Sequence, residues 1–286
     1  MKVPFYLFKE DTIVADIQSL LTIMQQLRDP KSGCPWDLAQ DFTTIVPFTL
    51  EEAYEVVDTI ERKAWQELPD ELGDLLFQVV FYCQLGQEQG MFNFATVIER
   101  ISDKLVRRHP HVFGQPETQA PAAITNTDDL SQAWDKLKAS ERQQKQLHSA
   151  LDDIPHALPA LSRARKIQHR VAKVGFDWAE LEPVVAKIHE EIDEVLVEVN
   201  QRHQDPDFYQ PRIVDEMGDL LFAVVNLARH LKVDPEQALR QANHKFERRF
   251  RGVEQFVAVS GKPIEQHSLE QLDHYWNRVK QHENIN

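Results

Sequence analysis

The amino-acid sequence predicts an all-α protein made of two tandem, duplicated helical-bundle domains, and three observations carry that reading. Only 9 glycines interrupt 286 residues, and apolar positions recur at helical rather than strand spacing over long unbroken stretches. The stretch Glu71-Leu-Gly-Asp-Leu-Leu-Phe-Gln-Val-Val80 returns as Glu216-Met-Gly-Asp-Leu-Leu-Phe-Ala-Val-Val225, differing only at Leu72/Met217 and Gln78/Ala223. Trp36 and Trp178, Trp134 and Trp276, and Lys138 and Lys280 are separated by one common interval. Between these pairs the interval drifts, as it does when insertions fall in loops. Two domains also suit the length, at roughly 100–200 residues per domain.

Residues 1–15 stand outside the repeat and read as an N-terminal arm. The first domain is assigned to 16–147 and the second to 148–286. A first helix, 16–27, is stopped by Asp29-Pro30 and a loop over 31–37. Two acidic helices follow at 49–63 and 68–89, and a third helix, 94–108, ends at His109-Pro110 because proline cannot continue it. The Pro/Ala/Thr-rich stretch 114–127 has no periodicity and reads as a flexible connection. A helix over 128–145 carries Trp134 and Lys138, and 148–159, with two prolines, links the halves. The second copy repeats the plan: a helix at 160–174, then Gly175-Phe-Asp-Trp178, acidic helices at 183–201 and 214–232 around a polar insertion at 203–212, a helix at 235–259, and a last helix holding Trp276 and Lys280.

A hydrophobic content of 42% is enough for a core. The formal charge of −14 argues against a nucleic-acid scaffold or an anionic membrane surface, both of which need a basic face, but it does not exclude small anions held through a metal. Cys34 and Cys83 are too few for a disulfide framework or a thiolate site and read as reduced thiols. No apolar stretch reaches the roughly 18 residues of a membrane span, and the first ten residues lack the pattern of a signal peptide. The expectation is a cytoplasmic protein.

The chemistry centres on acids. Glu190-Glu191-Ile192-Asp193-Glu194 and Glu216-Met217-Gly218-Asp219 each place two carboxylates three residues apart, on one face of a helix. Glu191, Glu194, Glu216 and Asp219 are therefore expected to converge. Glu191 and Glu194 are placed on the flank of an apolar stripe of Ile188, Ile192, Val195 and Val199, and 218–231 is apolar enough to be buried nearly all round. An unpaired carboxylate beside such a run costs several kcal/mol to desolvate, so the group needs cations. Carboxylates without a cysteine or an ordered histidine pair suit Mg²⁺ or Mn²⁺ rather than zinc. The first half carries the same set as Glu52, Glu55, Glu71 and Asp74. Such sites serve phosphates. The chain has no glycine-rich phosphate loop, so cations must help: Lys245 and Arg249 share a helix face, as Lys104, Arg107 and Arg108 do in the first half. Trp178 and Trp276 are candidates either to stack a base or to sit in the core.

These residues together resemble the two-domain MazG family. The resemblance rests on Gly33-Cys34-Pro35-Trp36-Asp37, Glu52-x-x-Glu55 with Glu71-x-x-Asp74, Gly175-Phe176-Asp177-Trp178, Glu191-x-x-Glu194, Glu216-x-x-Asp219 and Asn243-x-Lys245-Phe246-x-x-Arg249. It implies the all-α NTP pyrophosphatase fold and cleavage of a nucleoside triphosphate between the α and β phosphates, with Mg²⁺ and as a homodimer. Metal positions fall on Glu191, Glu194, Glu216 and Asp219. Nucleotide positions fall on Lys187, Ile188, His189, Glu190, Glu191, Arg212, Ile213, Val214, Asp215, Asp219, Asn243, Lys245, Arg249 and Trp276. The expected chemistry is attack by a metal-activated water, with Glu190 or Glu191 accepting its proton and Lys245 and Arg249 offsetting charge on the departing pyrophosphate. In the first half Phe48 stands for Lys187 and Ser102 for Asn243, so the second half is expected to be the catalytic one. The rival readings are a helical nucleotide-binding or adaptor module without turnover, and a di-iron bundle; the latter normally needs Glu-x-x-His in two helices, which neither acidic pair supplies.

Overall fold

A computed structural model describes residues 16–114, Trp134, Glu141 and 147–283. Among the described residues all regular structure is helical. The chain divides into two compact units, 1–137 and 138–286. The expected arm at 1–15, the connection beyond 114 and most of the expected helix at 128–145, Lys138 included, lie outside the described residues; Trp134 and Glu141 are helical.

In the first unit α1 is Ile17–Leu27, α2 Pro35–Leu38, α3 Val46–Arg62, α4 Leu68–Glu88, α5 Phe94–Arg108 and α6 Pro110–Phe113. Asp16 caps α1 by accepting from the Ser19 amide at 2.8 Å, and Asn93 caps α5 by accepting from Thr96 at 3.0 Å. The expected loop at 31–37 contains the short α2, and α3 starts earlier than expected. In both cases a proline, Pro35 or Pro47, sits in the first turn, where no backbone N–H is needed. Met24, Ile45, Val80, Phe81 and Leu85 form the core of this unit, with Phe48 and Phe77 packed against it. Arg28, its side chain only 7% exposed, ties the turn after α1 to α4: it donates to Glu88 at 2.6 Å and to the carbonyls of Asp37 and Gln40.

In the second unit α7 is Ala160–Ala172, α8 Leu181–Gln201, α9 Pro206–His230 and α10 Pro235–Ser260; a 3₁₀ turn, Ile264–Gln266, leads into α11, Leu269–Glu283. Helices α8 and α9 form the main packed pair, α7 packs on α9 and α10, and α11 lies along α10. Gly252 makes that last approach possible, since a Cβ there would lie 2.7 Å from Val279 Cγ2.

Three expectations are corrected here. Residues 203–212 are not a loop insertion, because α9 begins at Pro206 and runs through Pro211. Asp205 caps it by accepting from Phe208, and the extension is pinned to α8 by Tyr209 donating to Gln201 and by Arg212 gripping Glu198 with two hydrogen bonds. The segment 218–231 is not buried all round: Ala223, Val225 and Asn226 are buried, whereas Leu221 and Val224 are 51% and 45% exposed. Its second apolar face meets no partner among the described residues, which its hydropathy alone could not reveal. The inward face of α8 runs through Val184, Glu191, Val195 and Glu198, so Ile192 and Val199 point outward and Glu191 lies on the buried stripe itself rather than on its flank.

Replacing Arg28 by Ala should lower the stability of the first unit by about 2 kcal/mol, because it leaves two part-buried carbonyls without a donor and removes the link to Glu88. The same change at Arg62, which pairs with Asp58 and Glu67 in the open, should leave the urea midpoint within error.

Candidate functional site

Two of the acids on the inward face of α8 are neutralised differently. Glu198 is matched by the Arg212 guanidinium at 2.7 and 2.6 Å. Glu191, 4% exposed, receives the Lys187 ammonium on Oε1 at 2.7 Å, while its Oε2 is buried with no partner among the described residues. A sheltered carboxylate oxygen without a donor costs about 1–3 kcal/mol. Lys187 also reaches Glu190 at 3.0 Å; its pKa is raised by these two hydrogen bonds.

Packing of α9 on α8 brings Glu216 to the same place, and oxygens of Glu191, Glu194 and Glu216 lie within 4.8 Å of one another. The first unit repeats the arrangement with Glu52 and Glu55 on α3 and Glu71 on α4. Desolvation, together with the charge of Glu191, raises the Glu194 pKa. Desolvation and then the charges of Asp74 and Glu55 raise that of Glu52, and desolvation with Glu55 and Asp74 raises that of Glu71. The donor set is entirely carboxylate oxygen, three donors share one point, and one buried oxygen is unmet, which fits a hard divalent cation.

In each unit three of the four expected acids form the close group. Asp219 and Asp74 stand one turn further along their helices and fall outside the close groups. Asp219 instead lines a cleft of about 540 Å³ that also has Lys187 and Glu191 on its wall. The far side of this cleft is built by the segment after α7. Gly175, at φ 88°, turns the chain so that Phe176, Asp177 and Trp178 close over the site. Asp177 latches the segment to α9 by accepting from Arg229 at 2.5 Å and pairing with His230 at 3.2 Å. Desolvation opposes ionisation of Asp177, but the Arg229 hydrogen bond and charge outweigh it and hold its pKa below the usual carboxylate value.

The remaining sequence candidates divide. Ile188 is half-buried and His189 exposed on α8; Arg212 is occupied by Glu198, beside half-buried Ile213 and exposed Val214 and Asp215. Asn243 and Lys245 are exposed on α10. Arg249 pairs with Glu283 at 2.8 Å and lies 5.9 Å from the Trp276 ring, which in turn contacts Phe246 at 5.2 Å. This α10/α11 group is separate from the residues that line the cleft. Four lining residues escaped attention as individual site candidates: Gln168, Asp177, Asn226 and Arg229. Asn226 and Arg229 carried a signal, as polar residues inside an otherwise apolar helical run. Gln168 carried none, because a glutamine on an amphipathic helix is ordinarily solvated.

Replacing Asp177 by Asn should cost about 1–2 kcal/mol near neutral pH. Because the folded pKa is depressed, the stability conferred by the carboxylate is complete above the ordinary carboxylate range and is lost as pH falls through the folded value. The gap between wild type and Asp177→Asn in thermal unfolding should therefore narrow from pH 7 toward pH 3.

Residues 40–113 and 180–253 both match the model of the MazG nucleotide pyrophosphohydrolase domain. The chain is 55% identical over 267 residues to the nucleoside triphosphate pyrophosphohydrolase of Escherichia coli K12, covering 93% of this chain and 98% of that protein. It is 40% identical over 263 residues to the nucleoside triphosphate pyrophosphohydrolase/pyrophosphatase MazG of Thermotoga maritima, covering 92% and 95%. A Mycobacterium tuberculosis nucleoside triphosphate pyrophosphohydrolase is 33% identical over 157 residues, 54% of this chain and 44% of that protein. With duplicated acidic helix pairs, a second unit whose acids open onto a cleft, and relatives matched along nearly their whole length, the chain belongs to the MazG nucleotide pyrophosphohydrolase family in its two-domain form.

Proposed function

We propose that the second half hydrolyses nucleoside triphosphates between the α and β phosphates, releasing a monophosphate and pyrophosphate, with magnesium as the metal and manganese as a substitute. The observation that carries the reading is Glu191: one oxygen is held by Lys187, the other is buried and unmet, and the residue stands at once in the acid group and on the cleft wall. The names of the full-length relatives support the same activity.

Glu191, Glu194 and Glu216 would hold the metal, with Asp219 beside them. When bound, magnesium supplies positive charge to the phosphate oxygens and lowers the pKa of a coordinated water. Glu190, exposed and tethered through Lys187, is placed to accept a proton from the attacking water. Lys187, shared between Glu190 and Glu191 without substrate, becomes available to phosphate once Glu191 has another cation. Lys245 and Arg249 offer charge to the departing pyrophosphate, Arg249 exchanging Glu283 for phosphate oxygens.

The first half keeps Glu52, Glu55, Glu71 and Asp74, and on this reading binds a cation but turns over slowly or not at all. Phe48 stands where the second half has Lys187, and Phe81, the residue after the repeated ten-residue stretch, stands where it has Asn226; both belong to the apolar core or pack on it. A homodimer would cover the open face of α9, where Leu221 and Val224 are exposed and Gly218 faces empty space. The charge of −14 leaves nucleic acid without a surface to bind and suits a cytoplasmic enzyme. No helix among the described residues is long and apolar enough to cross a membrane.

Replacing Glu191 or Asp219 by Ala should lower magnesium-dependent pyrophosphate release by at least about a thousandfold, whereas Glu52→Ala should leave it within roughly threefold. Undiminished release from both second-half variants would refute the assignment. Calorimetric binding of the triphosphate with no product on long incubation would instead make the chain a binding module.

A further inference from the structure

The cleft that holds Glu191 and Asp219 is also lined by two amides whose hydrogen-bonding sense is fixed by the fold. Gln168, 5% exposed on α7, donates from Nε2 to the Phe222 carbonyl at 2.8 Å, so its Oε1 is left as an acceptor; that atom is buried and has no partner among the described residues. Asn226 lies one helical turn beyond Phe222 and is 9% exposed. Its Oδ1 accepts from Arg229 Nε at 2.9 Å and Nη2 at 2.8 Å, which turns Nδ2 outward as a donor. Arg229 is anchored in turn by Asp177 at 2.5 Å, so reversing the Asn226 amide would set its Nδ2 against a guanidinium held in place. A set acceptor and a set donor thus line one cleft, which also presents the rings of Phe176, Trp178 and Phe222.

A flat heteroaromatic ring suits such a wall: its faces meet the aromatic side chains and its edge meets the two amides. We propose that Gln168 and Asn226 recognise the base of the substrate by its edge, with Gln168 Oε1 taking an N–H and Asn226 Nδ2 giving a hydrogen bond to the neighbouring lone pair. This inference rests on the triphosphate reading above and names the part of the substrate that the cleft receives. Adenine offers N6–H beside N1, guanine N1–H beside O6, cytosine N4–H beside N3, and uracil N3–H beside O4. All four satisfy the pair. The substrate class is therefore any nucleoside triphosphate whose base carries an N–H next to a lone pair, without strong choice among the ordinary bases. A purine lacking the 6-amino group has no such N–H on that edge. In the first unit Met24, Phe48 and Phe81 are apolar, and the buried amide is Gln78, at the position of Ala223 rather than of Asn226.

The test compares α,β-methylene analogues of ATP and of purine riboside triphosphate, with dissociation constants measured by calorimetry in magnesium. Wild type should bind the ATP analogue about tenfold more tightly. Gln168→Met should weaken binding of the ATP analogue by about the same factor and bring the two affinities together. Asn226→Asp keeps the acceptor for Arg229 but replaces the donor to the ring lone pair that both analogues carry, so it should weaken both by about tenfold and leave their ratio unchanged, which decides the matter if Gln168→Met does not fold. Equal affinities in wild type, no affinity for either analogue, an unchanged ratio in folded Gln168→Met, or undiminished affinities in folded Asn226→Asp overturns the proposal. Because the analogues resist cleavage, base recognition is scored independently of turnover: preference without hydrolysis of ATP counts against the proposed activity alone, and hydrolysis without preference counts against the base-edge inference alone.

Discussion

Like charges gathered at one point are the constraint on which the second unit depends. Glu191, Glu194 and Glu216 bring oxygens within 4.8 Å of one another, and Glu191 does so from the buried face of α8. Left alone, such a group destabilises the helix pair that creates it, and desolvation, then the charge of Glu191, raises the pKa of Glu194. Two devices contain the repulsion. Lys187 covers one oxygen of Glu191, and two turns further along the same face Arg212 removes Glu198 from the balance altogether. The extension of α9 back to Pro206 has its reason here, since it carries Arg212 to Glu198. What stays uncompensated is one buried oxygen at the head of a cleft, a concentration of unfavourable energy of the kind found where a ligand is bound.

The cleft exists because a short segment is held away from the helix it might otherwise pack against. Gly175 reverses the chain after α7, and the Asp177 contacts with Arg229 and His230 fix Phe176 and Trp178 over α9 instead of letting them collapse onto it. The same guanidinium orients Asn226. One arginine therefore couples the wall of the cleft to the polarity of its lining, which is why the latch residues and the recognition residues are contiguous in space though far apart in sequence.

Much of this was legible in the residues. The duplication stood out because Glu71–Val80 and Glu216–Val225 are identical at all but two positions. Helix identity followed from period, and the ends of α1 and α5 from Pro30 and Pro110 just beyond them. The misreadings share a cause: hydropathy reports what a residue prefers, not what lies next to it. Ile192 and Val199 suggested a buried stripe, yet the neighbour of α8 lies on the side of Val184 and Glu191, because α9 supplies partners there. Pro211 suggested a loop, yet a helix tolerates it where Arg212 and Tyr209 hold the adjoining turns. Asp219 was grouped with Glu191 by spacing, and the two line one cleft. Gln168 could not be singled out, since its meaning lies in a carbonyl of α9 that is distant in sequence.

The two copies show what separates a site from a fold that merely retains the same acids. Both keep three carboxylates within reach of one point, so the helix pair itself imposes the convergence. They differ in what fills the space behind it. In the first unit Met24, Val80 and Phe81 are fully buried and Phe48 packs on them, contributing stability through apolar contact. In the second, Gln168, Glu191 and Asn226 take buried positions, and each exchanges apolar contact for a polar group that the chain only partly satisfies. The first interior keeps one such group, Gln78 Oε1, within an otherwise apolar core. The second gains most when a substrate supplies the missing partners, so binding energy and folding energy are drawn from the same unmet groups.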